Sequence, residues 1–199
     1  MKRKFLALSL ILFGSFNLLA QENQTVLGDE EYIIISSIKS DSTVIINETI
    51  PMKIVPGSEG NDTTRAFAGV VAVFRLKHRI PELSDETIKD FNSKNEKAYS
   101  LERKFTLPGK YTLIKKGEAL GNYSGVNDLL KKYEIFREKY PKSDGFISFS
   151  RVGFSSDKKQ ALAYFEHFCG VVCASGEFFF FVKEKDKWIK KAQVLLWIS

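Results

Sequence analysis

The sequence predicts a single α+β domain whose helices pack on one face of a C-terminal four-strand antiparallel meander. Three observations predict it. First, the last quarter of the chain holds four runs rich in aromatic and β-branched residues, Phe146 to Phe154, Gln160 to Phe168, Gly176 to Lys183 and Trp188 to Ile198. Second, polar or glycine-containing breaks separate them at Ser155 to Lys158, Cys169 to Ser175 and Lys185-Asp186, the pattern that joins antiparallel strands by hairpins. Third, Val126, Leu129, Leu130, Tyr133, Phe136 and Tyr140 recur mostly at steps of three or four, with Lys131, Lys132, Glu134 and Lys139 mostly on the other side. That spacing places an amphipathic helix directly before the sheet.

Taken in order, residues 1–20 read as a signal peptide. Lys2, Arg3 and Lys4 form a basic start, Phe5 to Phe13 an apolar core, and Leu18-Leu19-Ala20 a cleavage site before Gln21. The apolar core is too short to span a membrane and Gly14, Ser15 and Asn17 interrupt it. The expected location is therefore exported, periplasmic or secreted, with no stable membrane insertion after cleavage. Losing the leader lowers the formal charge from +6 to +3. No basic cluster carries the interleaved aromatic residues that track a nucleic-acid backbone and stack its bases, so nucleic acid is not an expected partner.

Residues 21–199 are the size of one domain, and no repeat or linker divides them. Asp29 can cap a short helix to Lys39 with Glu30 and Glu31 in its first turn, although the run Ile33-Ile34-Ile35 is also compatible with a strand. Thr43 to Asn47 is a short β-branched strand, and Pro51 to Thr64 is a loop punctuated by Pro56, Gly57 and Gly60. Phe67, Val70, Val71 and Phe74 fall at helical spacing within Arg65 to Arg79, before Pro81. Ser84 is a good N-cap, Asp85 and Glu86 suit the positive end of a helix, and Ile88, Phe91 and Ala98 continue one face. Tyr111 to Lys115 is another short strand, and Pro141 ends the helix that runs from Val126 to Tyr140.

The residues Ser150-Arg151-Val152-Gly153-Phe154, Gln160-Ala161-Leu162, Cys169-Gly170, Cys173, Gly176, Lys187-Trp188 and Trp197-Ile198-Ser199 resemble the pattern of a group of uncharacterised exported bacterial proteins. Glu86-Thr87-Ile88, Asp90-Phe91 and Lys94-Asn95 are similar too. The resemblance implies no activity and no catalytic residues. A helix followed by a meander ending in a Trp-Ile strand is also loosely similar to nuclear-transport-factor-2-like domains, a scaffold that hosts both enzymes and binding modules.

Signatures of nucleophilic, metal-dependent or dinucleotide chemistry are absent, and the chain has two histidines, His78 and His167. Glu59, Asn61 and Asp62 lack the alternation of a calcium loop, and two thiolates make a poor zinc site. No cofactor and no metal is expected. Cys169 and Cys173 should form a disulfide in an oxidising compartment, closing Gly170-Val171-Val172; separate thiols are the alternative.

With regular hairpin registers, strand alternation collects Val152, Phe154, Ala161, Ala163, Phe165, Phe179, Phe181, Ala192, Val194 and Leu196 on a core face suited to the Val126 to Tyr140 helix. The opposite face carries Arg151, Tyr164, Glu166, Lys191, Gln193 and Trp197 among Phe149, Phe178 and Phe180. Polar groups among aromatics are what a small-ligand pocket uses, whereas a half-solvated sheet would leave Arg151 and Glu166 as a cross-strand pair. The leading expectation is a non-enzymatic exported domain that binds a small molecule or protein on this face. The alternatives are a small hydrolase- or isomerase-like enzyme, with Glu166 or His167 as general base and Arg151 as anion stabiliser, and a structural envelope protein.

Overall fold

The computed structural model describes residues 27–38, 40, 42–54, 75–122, 124–170 and 172–199. The expected signal peptide, most of the expected loop from Pro51 to Thr64 and the helical spacing at 65–74 lie outside these residues.

Helix α1 spans Asp29–Ser36 and is capped one residue earlier than expected. Gly28 is the N-cap, and the Glu31 carboxylate reaches back to accept its N–H at 2.9 Å. The helix stops short of Lys39 where the Ser37 hydroxyl donates to the Ile34 carbonyl at 2.6 Å. Helix α2, Asp85–Lys94, begins at Ser84, whose hydroxyl accepts the Thr87 N–H at 3.2 Å. Its inward face carries Thr87 and Phe91, while Ala98 falls beyond the helix and is exposed. Residues 75–79 are also helical and bury Leu76. Helix α3 is the short turn Lys116–Ala119, and α4 spans Val126–Lys139. Leu129 and Phe136 of α4 point inward, whereas Val126 and Leu130 are exposed.

The strands are β1 (Val44–Ile46), β2 (Thr112–Ile114), β3 (Phe146–Phe149), β4 (Gly153–Phe154), β5 (Gln160–Gly170), β6 (Cys173–Glu184) and β7 (Lys187–Ile198). Among the described residues they form one mixed seven-stranded sheet in the order β2-β1-β3-β5-β6-β7, with β4 also on β5. The C-terminal strands pair antiparallel, but β1 lies parallel to both β2 and β3 and extends the sheet beyond a four-strand meander. All three β1 residues are buried, as parallel strands covered on both faces require. The β6–β7 hairpin turns at Lys185 and Asp186, both at positive φ, as a two-residue hairpin loop demands.

Helices cover both faces, not one. Tyr32, Ile34 and Ile35 of α1 share a core with Ile147, Phe149, Ala161, Ala163, Phe165, Phe179 and Phe181. On the other face, Phe91 of α2 joins Leu76, Ile80 and Leu83 over Leu162, Tyr164, Phe178, Phe180 and Val194. Helix α4 docks on this second face at its β1–β2 end, where Phe136 meets Val44, Ile46 and Ile114. It does not contact the face that regular registers would assign to it.

Irregular registers explain the difference. Phe149 pairs with Phe165 but Gly153 pairs with Leu162, so three residues, 150–152, oppose two on β5. This extra residue inverts the alternation and places Phe149 on the same side as Phe154. A second irregularity pairs Phe181 with Lys190 and Phe180 with Ala192, skipping Lys191. Ala192, Val194 and Leu196 therefore join the α2 core instead of the α1 core. A third skips Leu196 between the Gly176–Trp197 and Glu177–Leu195 pairs and turns Trp197 back to the Tyr164 side.

Cys169 and Cys173 form a disulfide with Cα atoms 5.1 Å apart at the end of the β5–β6 hairpin. The Tyr133 hydroxyl of α4 donates to the Cys169 carbonyl, which ties the helix to the hairpin tip. Among the described residues, no helix is long and apolar enough to cross a membrane.

Candidate binding site

Three of the six expected site residues come together. The Trp197 indole N–H donates to the Tyr164 hydroxyl at 2.7 Å, and that hydroxyl donates to Glu166 Oε1 at 3.0 Å. Alternation along β5 puts Tyr164 and Glu166 on one side, and β7 delivers Trp197 opposite Gly176. A Cβ at position 176 would overlap the Trp197 indole nitrogen and the Tyr164 hydroxyl. Glycine at this register position is what lets the two groups meet.

The other three lie elsewhere. Lys191 pairs with Glu184 at 2.5 Å. Gln193 bonds Glu177 and accepts from Lys190 at 3.2 Å. Arg151 turns to the α1 side, where its Nη2 and Nε donate to the Glu31 carboxylate at 2.9 and 3.2 Å. No Arg151–Glu166 pair forms. Phe178 and Phe180 are core residues beneath α2, and Phe149 belongs to the α1 core.

Arg151 and Glu31 are 8% and 3% exposed, and the Tyr99 ring lies 4.9 Å from the guanidinium. Glu31 also accepts the Val152 N–H at 3.0 Å, while Asn95 holds the Arg151 backbone through its N–H at 2.7 Å and its carbonyl at 3.0 Å. The bulge at 150–152 is thus gripped by α1 on one side and the end of α2 on the other. Arg151 serves the fold, and the guanidinium is already committed.

Glu166 opens on a cleft of about 300 Å³ lined by Lys116, Leu120, Phe146, Ser148, Phe168, Ala174 and Trp197, among others. Its Oε1 is held by Tyr164, and Oε2 makes no hydrogen bond among the described residues. Every deeply buried side-chain nitrogen and oxygen among them does have a partner, so Oε2 faces the accessible part of the cleft. Burial raises the Glu166 carboxyl above its ordinary value of 4.5, partly offset by the Tyr164 hydrogen bond and the charge of Lys116. Burial, and then the neighbouring Glu166 charge, raises the Tyr164 phenol, so it remains a proton donor to Glu166.

The His167 ring is bound at Nε2 by the Ser42 hydroxyl at 2.9 Å and the Asp144 carbonyl at 2.7 Å. Sequence reasoning missed Lys116, Ser148 and the contribution of α3, because the parallel β1–β2 pairing that brings this segment over the sheet leaves little mark on such short strands. Phe146 and Phe168 are legible as strand residues, and their stacking, 5.0 Å between ring centroids, follows from their direct pairing across β3 and β5. Among the described residues no cluster of three or more His, Cys, Asp or Glu side chains is placed to hold a metal ion.

The raised Glu166 value gives a stability test. Below the ordinary carboxyl value both folded and unfolded chains are protonated at this position, and there is no penalty; as pH rises through the raised folded value, the ionised group must sit in the cleft and stability is lost. Glu166→Gln keeps the acceptor for Tyr164 without the charge. It is expected to match wild type at about pH 4 and to melt higher than wild type at about pH 7 to 8. Thermal melts across this range check it, and a lower melting temperature for the variant throughout would contradict it.

Comparison with protein-family models, curated proteins and solved structures finds no match.

Proposed function

We propose that this chain is an exported, non-enzymatic binding domain that holds a small molecule in the cleft beside Glu166. One observation carries the reading: the Trp197–Tyr164–Glu166 chain fixes one carboxylate oxygen and leaves the other facing an aromatic-lined cleft. Few, oriented polar groups in an apolar concavity are the ordinary composition of a small-molecule site, and a volume of about 300 Å³ is at the small end of such sites. Export rests on the three-region leader at 1–20.

The raised Glu166 carboxyl also favours a second reading, general acid–base catalysis of a hydrolase or isomerase type. That reading is the weaker one because its partners are engaged: Arg151 is not in the cleft lining, and His167, which is, has its ring bound by other groups. Arg151 is paired with Glu31, and His167 is tied to Ser42 and Asp144. A purely structural envelope role has no use for an accessible, desolvated carboxylate.

A fragment panel screened against the full chain by protein-observed NMR tests the binding reading. Hits are expected to perturb Glu166, Phe168 and Trp197 together. Trp197→Phe removes the indole donor and should weaken those hits by about tenfold, equivalent to about 1.4 kcal/mol, while the Trp188 fluorescence reports an intact fold. Hits scattered over other surfaces, or none at all, would remove the proposal.

A further inference from the structure

We infer that the cleft recognises a small zwitterion, with its ammonium at Glu166, its carboxylate at Lys116 and an apolar body against Phe168 and Trp197. This rests on the reading of the cleft as a binding site and specifies its ligand.

The cleft carries one charge of each sign. Lys116 opens α3 and Glu166 sits on β5, so two different elements present them across the same space. They are close enough for the lysine charge to act on the carboxylate, yet they make no ion pair with each other within 4.0 Å. Neither has a salt-bridge or hydrogen-bonding cation or anion partner elsewhere among the described residues. Lys116 is exposed, like Lys115 and Lys131, which also make no ion pair among the described residues; what distinguishes it is its place in the lining of the cleft.

Two opposite charges that line one cleft with an apolar floor and do not pair with each other select among ligands. A simple anion meets Lys116 favourably but is repelled by Glu166, which is the more desolvated group and so exerts the stronger field. A simple cation satisfies Glu166 but must share the cleft with Lys116. A molecule carrying both charges satisfies each wall with its complement and adds no net charge to a partly dry space. Its body would replace water on Phe146, Phe168, Ala174 and Trp197, which supply the aromatic and apolar lining. Small apolar amino acids have this chemistry.

Three probes with a common phenylalkyl body separate the contributions: L-phenylalanine carries both charges, phenethylamine only the positive one, and 3-phenylpropanoate only the negative one. Isothermal titration of the full chain at about pH 7 is expected to show phenylalanine binding at least tenfold tighter than either analogue. Lys116→Met and Glu166→Gln should each lower phenylalanine affinity by about tenfold and bring it near that of a single-charge probe. Affinity should also fall as pH is lowered, since protonated Glu166 no longer attracts an ammonium.

Equal or tighter binding of phenethylamine, or an unchanged affinity in Lys116→Met, overturns the zwitterion assignment while leaving a binding cleft. So does failure of all three probes when panel fragments still perturb Glu166 and Trp197. Failure of probes and panel together overturns both the assignment and the binding reading on which it rests.

Discussion

Arg151→Ala is expected to destabilise the domain by about 3–5 kcal/mol, the range for breaking a buried ion pair by removing one partner. The guanidinium is almost fully buried and meets the Glu31 carboxylate through two donors, at 2.9 and 3.2 Å. Truncating it strands Glu31 beneath α1 with no cation, and the uncompensated buried charge costs far more than the intact pair contributes. The loss also removes the stack on Tyr99. Urea unfolding of the single variant, and of Arg151→Ala combined with Glu31→Gln, measures the cause. Glu31 accepts the Val152 and Gly28 N–H groups on separate oxygens; the amide oxygen that Glu31→Gln introduces can keep one of the two, and with the buried charge removed the double variant should recover part of the loss. A loss under about 1 kcal/mol in the single variant would show that water enters and solvates Glu31, as at an exposed pair.

Gly153→Ala is expected to cost about 1–3 kcal/mol, at the upper end of that range, because the backbone and not a movable side chain is in the way. A Cβ on Gly153 would lie 2.5 Å from Phe91 N, Cα and Cβ, so α2 rests directly on β4. The helix cannot rise freely. Asp90 accepts the Phe154 N–H at 2.7 Å, and Asn95 holds both backbone groups of Arg151. Displacing α2 would also pull Phe91 from Phe178, and Phe178 packs on Tyr164, with ring centroids 5.7 and 5.0 Å apart respectively. The variant should therefore show a lower denaturation midpoint together with NMR shifts that reach Tyr164. Wild-type stability in Gly153→Ala would mean that α2 does not press on the strand as closely as these distances require.

These two positions also show where the sequence can be read and where it cannot. Ser84 identifies the start of α2, Lys185-Asp186 the last hairpin, and Cys169 with Cys173 a short cross-link, because each rests on contacts within a few residues of itself. The alternation within β5 and β6 is legible for the same reason: Ala161, Ala163 and Phe165 do share a side with Phe179 and Phe181, and Tyr164 does share one with Phe178 and Phe180. Arg151 is the opposite case, since strand alternation alone makes it a partner for Glu166. Its true partner, Glu31, comes from a helix 120 residues earlier in the chain.

Local chemistry in the chain pointed to α2, α4 and the long terminal strands, the turns between the last strands, a disulfide at Cys169 and Cys173 as the favoured pairing, and the side of β5 that carries Tyr164 and Glu166, but not to α3 or to the break between β3 and β4. The contents of each face depended on long-range packing. Extra residues at 150–152 and at Lys191 invert side-chain parity, exchanging Phe149 and Val194 between the two cores. The parallel pairing of β1 brings a separate part of the chain, with Lys116, to the edge of the Glu166 cleft. A register is the sum of backbone pairings and core contacts between distant segments, and a one-residue bulge that reverses every side chain beyond it carries no signature in the residues it displaces.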